Sequence, residues 1–317
     1  MPGLQLPYQP MRAVLYSPDE LLSGFDPHRP ESFADTRDFQ IYSHFVREGG
    51  AEPANYFMGM MQSLHDHAVT NALRDLLHGR RCVAIMGGHK LPRDHSMYQK
   101  IAALSRGFTR HGFLVASGGG PGAMEASHLG AALANAPDEA LAAALARLAG
   151  EASLPEEVKD IVSRQGAVDL SFVAKAHAWY RPAIEVWRGI ASPGTSLAVP
   201  TWHYGHEPTS PFATHVAKYF QNSIREDGLL AIATQGIVYA PGRAGTIQEI
   251  FQDAAQNYYR TFKHFSPMVL LGVKEWTETY PVDAVLRSLF AAEDYERYVL
   301  VTDSINEARA FIEVFAP

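Results

Sequence analysis

Apolar residues in this chain follow two periods. Unbroken runs of four or five mark strands buried on both faces: Cys82-Val83-Ala84-Ile85-Met86, Phe113-Leu114-Val115-Ala116, Ser196-Leu197-Ala198-Val199-Pro200, Gly236-Ile237-Val238-Tyr239-Ala240, Met268-Val269-Leu270-Leu271 and Tyr298-Val299-Leu300-Val301. Stretches at helical spacing separate them: 96–111, an Ala-rich segment to about 135, Pro211 to Asp227 with Gly228 as its stop, a segment opened by Pro241-Gly242-Arg243-Ala244-Gly245-Thr246 and running to about 259, 282–292 and 304–315. Strand, helix, strand, glycine turn and helix is the grammar of βαβ units. The pattern predicts an α/β fold with a doubly wound parallel sheet, Rossmann-like, in three α/β/α layers.

The regular alternation occupies 79–317 and is broken once. Residues 137–192 are Ala-rich and helical at first, then mixed, and read as a helical insertion. Residues 1–78 read as an N-terminal extension. It is rich in Pro and charge, with a short helix expected near 37–47 and a longer one over 56–79 ending at Gly79. No repeat at a solenoid period is present.

Composition narrows the functions. The chain has 317 residues, 47% of them hydrophobic, enough for a sizeable core. Its 27 basic and 34 acidic residues give a formal net charge of -7, which argues against nucleic acid as a partner while leaving room for a local phosphate pocket. No run of 18 apolar residues suggests a membrane span, and the first ten residues lack a secretory pattern. The single cysteine, Cys82, excludes an intrachain disulfide and fits a reducing cytoplasm, the expected location. In its strand it reads as inert packing.

The glycines carry the chemistry. In parallel sheets ligands sit at the carboxyl ends of strands, where strand order reverses. Gly87-Gly88, Gly118-Gly119-Gly120-Pro121-Gly122 and Pro241-Gly242-Arg243-Ala244-Gly245-Thr246 all fall at such ends. Glycine lets backbone N–H groups approach a phosphate, and the helix that follows adds unpaired donors. Thr246 can donate its hydroxyl there. Glu249, one helical turn on, can face the same cleft and reach a sugar hydroxyl or a water.

The pair GGGPGAME (118–125) and PGRAGTIQE (241–249) resembles the two signatures of the Lonely Guy (LOG) family, GGGxxGxM and PGGxGTxxE. The likeness covers about 80–260, with Gly87, Gly88 and Tyr98 included. The length and the extra segments look more like the larger bacterial nucleotide nucleosidases of that superfamily. The resemblance implies hydrolysis of the N-glycosidic bond of a nucleoside 5′-monophosphate, AMP among them, to free base and ribose 5-phosphate. It implies no metal or other cofactor, and a homodimer or larger homo-oligomer. By the same resemblance Gly118, Gly119, Gly120, Gly122, Met124, Glu125, Gly242, Gly245 and Thr246 would line the substrate and phosphate site, and Glu249 would be the catalytic glutamate. The family's catalytic arginine comes from an MHxRK segment. The corresponding stretch, Tyr219 to Asp227, offers Arg225. Arg243 replaces the second glycine of PGG, so it either blocks close approach or adds a cation to the pocket.

Other residues carry two readings each. Trp202, His203 and Tyr204 follow a strand and are candidate base contacts, as is Tyr98; the alternative is an ordered polar loop. His203 and His206 lack the further ligands of a zinc site. His65-Asp66-His67 reads as solvated or capping, since neighbours do not share a helix face. Lys90 and Arg93 would meet phosphate or solvent. Asp253 would assist Glu249 or pair elsewhere. A non-catalytic nucleotide or cofactor carrier on the same scaffold is the alternative function. A dehydrogenase fingerprint is not in place after the first strand.

Overall fold

A computed structural model of the chain describes residues 6–315 apart from 54, 204–206 and 262–264. Seven parallel strands form one sheet: β1 (Cys82–Met86), β2 (Leu114–Ser117), β3 (Ser196–Ala198), β4 (His215–Val216), β5 (Ile237–Tyr239), β6 (Met268–Leu271) and β7 (Val299–Thr302). Their order is β4-β3-β2-β1-β5-β6-β7. Register is continuous through the middle, with Ala84 facing Ala116 on one side and Ile237 on the other. The chain runs outward from β1 to β4, then returns to lay β5 on the free side of β1. The reversal therefore falls between β1 and β5, where this architecture places ligands.

The unbroken apolar strands follow from having two covered faces. Cys82, Ala84, Met86, Leu114, Ala116, Tyr239 and Leu270 point into one core, while Val83, Ile85, Val115, Val238 and Val269 point into the other. Helices Ser96–Arg110, Ala123–Ala132, Asp138–Ala149 and Ile305–Glu313 contribute to the second core. Helices Arg37–Arg47, Tyr56–Leu77, Leu170–Arg188 and Ala244–Tyr258 contribute to the first. The extension is thus built into the main core. Its Tyr16 pairs antiparallel with Val216 of β4 through two backbone hydrogen bonds of 3.0 and 2.9 Å.

Two expected elements are corrected. Residues 211–227 do not form one helix: β4 occupies 215–216 and the helix runs Asn222–Ile232. The β-branched and aromatic-like triplet Thr214-His215-Val216 is captured between β3 and Tyr16, where tertiary pairing outweighs helical spacing. Gly228 lies inside the later helix rather than ending it, and an added Cβ there would meet nothing within 4 Å. The helix expected over 282–292 is Val282–Leu289, and a second, unexpected helix, Ala292–Tyr298, takes up Tyr298, so β7 begins at Val299.

Candidate active site

The three glycine turns meet at the sheet's reversal point. Gly88 joins them: its N–H donates to Pro241 O at 3.0 Å, and its carbonyl accepts from Ala123 N at 3.1 Å. Gly122 has φ +74, a conformation that L side chains rarely adopt, and an added Cβ would lie 2.8 Å from the His89 carbonyl carbon. Gly87 is closed in the same way, with an added Cβ 2.7 Å from the Ala123 Cβ. Glycine is needed here because three backbones cross at van der Waals distance.

The turn after β5 opens helix Ala244–Tyr258. Its N-cap, Arg243, makes no side-chain cap, so the first-turn N–H groups keep their donor capacity. Thr246 is buried and folds over Gly242, where an added Cβ would lie 2.6 Å from the Thr246 Cβ. Gly245 borders open space. Arg243 is exposed and has no ion-pair partner among the described residues. It therefore adds a free cation at the rim rather than filling the turn.

Glu249 and Arg225 come together. Arg225 Nη1 lies 3.8 Å from Glu249 Oε1, with the side chains 12% and 15% exposed. Arg225 Nε donates to Val199 O at 3.2 Å, and an added Cβ on Gly118 would lie 3.0 Å from Arg225 Nη2. The guanidinium thus spans the end of β3, the first glycine turn and the glutamate. Burial pushes Glu249 up to about 7; Arg225 pulls it down, and Glu226 raises it. A carboxyl poised there can hold or release a proton near neutrality. Met124 packs its sulfur over Gly118.

Several expected contacts are corrected. Glu125 is fully buried and takes Arg93 in a fork, Nε at 2.7 Å and Nη2 at 2.6 Å. Arg93 also donates to Trp179 O at 2.8 Å and stacks on the Trp179 ring at 3.9 Å. Neither charge is free for substrate. Tyr98 has no exposed surface and donates its hydroxyl to Glu125 at 2.9 Å, so it supports that pair instead of touching a base. Lys90 is exposed and paired with Glu156. Trp202 is buried against Phe220, centroids 4.7 Å apart, and its Nε1 donates to Asp38 at 2.9 Å. Its faces are covered, which corrects its reading as a base contact. His203 is exposed; Tyr204 and His206 lie outside the described residues. Asp253 accepts from Tyr239 Oη at 2.8 Å within the core, and burial pushes it up to about 7. Its carboxylate is spent on the Tyr239 hydroxyl and the Asn257 amide. His65 and Asp66 are buried, not solvated. Cys82 is buried, and its thiol is pushed up to about 12, as inert packing requires.

The residue that the sequence reading missed is Glu207. An added Cβ on Gly120 would lie 2.8 Å from the Glu207 carboxyl carbon, which places this carboxylate on the first glycine turn. A carboxylate in the loop after a strand was the available signal, hidden among more conspicuous aromatics. Two cavities, of about 390 and 680 Å³, lie elsewhere, around Arg80 and Arg81 and along helix Tyr56–Leu77. Among the described residues no group of three or more His, Cys, Asp or Glu could hold a metal ion, and no helix is long and apolar enough to cross a membrane.

No protein-family model matches the chain, and no curated protein matches it. Solved structures do. TM1055, a structural-genomics target, is 19% identical over 74% of this chain and 99% of its own, with a TM-score of 0.42. The molybdenum cofactor carrier protein of Chlamydomonas reinhardtii is 17% identical over 74% and 96%, TM-score 0.42. The molybdenum cofactor binding protein of Rippkaea orientalis is 13% identical over 74% and 96%, TM-score 0.41. At such identities and scores they say nothing about what this chain binds.

Proposed function

We propose that this protein hydrolyses the N-glycosidic bond of a nucleoside 5′-monophosphate, releasing free base and ribose 5-phosphate. The observation that carries the reading is the Arg225–Glu249 pair, largely buried at the reversal point between two glycine turns, with Glu249 near 7. The uncapped start of helix Ala244–Tyr258, Thr246 and Arg243 would anchor the phosphate, and that remote binding would hold the ribose in place. Glu249 would take a proton from the attacking water or hold a ribose hydroxyl as the sugar becomes oxocarbenium-like. Water oxygen bonds to the anomeric carbon, the bond to the base breaks, and the base leaves with its electron pair and gains a proton. Arg225 would stabilise charge on the phosphate or the departing base, and keeps Glu249 oriented. A dimer or larger assembly, measurable by light scattering, belongs to the same proposal.

The test is a panel of AMP, GMP, CMP and UMP with chromatography for free base. Release by the wild type and its loss in Glu249→Gln is the expected result. Cleavage undiminished in Glu249→Gln removes Glu249 from the mechanism. Tight nucleotide binding with no release of base would favour the non-catalytic carrier instead.

A further inference from the structure

The two glycine turns differ in the charges set against them: Arg225 borders Gly118 at the start of the first, but its guanidinium is already committed to Val199 O and Glu249. The 242–246 turn carries an exposed cation, Arg243, and an uncapped helix start. The 118–122 turn carries a carboxylate, Glu207, seated on Gly120. The backbone behind this carboxylate is anchored. The Glu207 carbonyl accepts Lys218 Nζ at 3.0 Å, and Lys218 is itself buried and bound to Asp38 at 2.8 Å. The first turn is also locked: Gly118 O accepts from His128 Nε2 at 2.8 Å and Gly119 O from Ser210 N at 2.8 Å. The Glu207 carboxylate has no ion-pair partner among the described residues. A charge held at a glycine turn repels a phosphate dianion, whereas a carboxylate with open lone pairs accepts sugar hydroxyls well.

Resting on the function proposed above, we infer that Glu207 is a further specificity-determining residue. It reserves the first glycine turn for the hydroxyl-bearing sugar, excludes an anion from it, and so leaves the phosphate to the 242–246 turn. Such a site selects a ligand with one phosphate and a free diol over one phosphorylated at both ends.

The experiment is calorimetric titration of the wild type and Glu207→Gln with inorganic phosphate and with ribose 5-phosphate. The substitution keeps size and leaves the backbone carbonyl for Lys218, so the anchor survives. Inorganic phosphate is expected to bind about three-fold tighter or more to Glu207→Gln, because a repelling charge is gone. The preference for ribose 5-phosphate over inorganic phosphate is expected to fall about five-fold or more, because charge-assisted hydrogen bonds from the diol weaken. A preference that is unchanged or increased overturns the role of Glu207 alone. A wild type that binds neither ligand overturns the inference together with the function on which it rests.

Discussion

The near-neutral carboxyl of Glu249 has a consequence that needs no turnover to measure. In the folded chain burial raises it from 4.5 to about 7, which corresponds to about 3 kcal/mol. Between these two values the folded protein keeps a proton that the unfolded chain has lost. The associated stability is fully present below about 4.5 and is lost as pH rises through about 7. Glu249→Gln removes this dependence. Its unfolding free energy relative to the wild type should rise by about 2 to 3 kcal/mol between pH 5 and pH 8.5, read by urea denaturation at each pH. Asp253 titrates in the same range in both proteins and cancels in the difference. The cation adds a second limb. Coulomb attraction to Arg225 at 3.8 Å favours the ionised carboxylate and holds Glu249 lower than burial alone would. Arg225→Met should therefore move the pH window upward, both in the stability difference and in the rate profile of any cleavage. A stability difference that stays flat from pH 5 to 8.5, or a window that fails to move up without Arg225, would refute the poised carboxyl.

Three further substitutions test other parts of the argument. Gly242→Ala forces a methyl against Thr246, 2.6 Å from its Cβ, and should weaken phosphate affinity more than ten-fold in calorimetry while the far-ultraviolet circular dichroism is unchanged. Glu125→Ala strands the buried Arg93 and should cost about 3 to 5 kcal/mol in urea denaturation; a cost under 1 kcal/mol would mean that the fork is not formed. Asp66→Asn weakens the acceptor for Phe220 N and Gln221 N, at 3.0 and 2.9 Å, and should cost about 1 to 3 kcal/mol in urea denaturation, with a parallel loss of the proposed cleavage, since that segment leads into the helix carrying Arg225.

The central strands were legible because a sheet covered on both faces writes continuous apolar runs, and Cys82–Met86 and Met268–Leu271 coincide with their runs. The glycine turns were legible for a related reason: backbones cannot cross this closely with side chains present. What the sequence hid was the choice among partners. Nothing local distinguishes Arg93, spent on Glu125, from Arg225, aimed at Glu249; both are lone arginines near glycine turns. The aromatic loop misled in the same way. Trp202 sits at a strand end, but Asp38, distant in sequence, draws its indole inward. β4 defeats helical periodicity because its pairing is tertiary: His215 and Val216 pair with β3, and Val216 also with Tyr16, 200 positions away.

Those distant partners share a source. The extension supplies two buried carboxylates to the supports of the cleft. Asp38 receives Lys218, Trp202 and Thr209, which fixes the loop that presents Glu207. Asp66, itself held by His65, which hydrogen-bonds Tyr16 at 2.8 Å, receives the two N–H groups just before helix Asn222–Ile232. Lys218 and Gln221 are three residues apart, so both aspartates act on one short segment between β4 and the helix that carries Arg225. A buried lysine without its carboxylate, or a helix entry without its acceptor, would cost several kcal/mol. The geometry of the Arg225–Glu249 pair is therefore set in part by residues outside the βαβ core. The extension acts as a structural component of the cleft, which explains why the residues holding the first glycine turn's carboxylate could not be found near that turn.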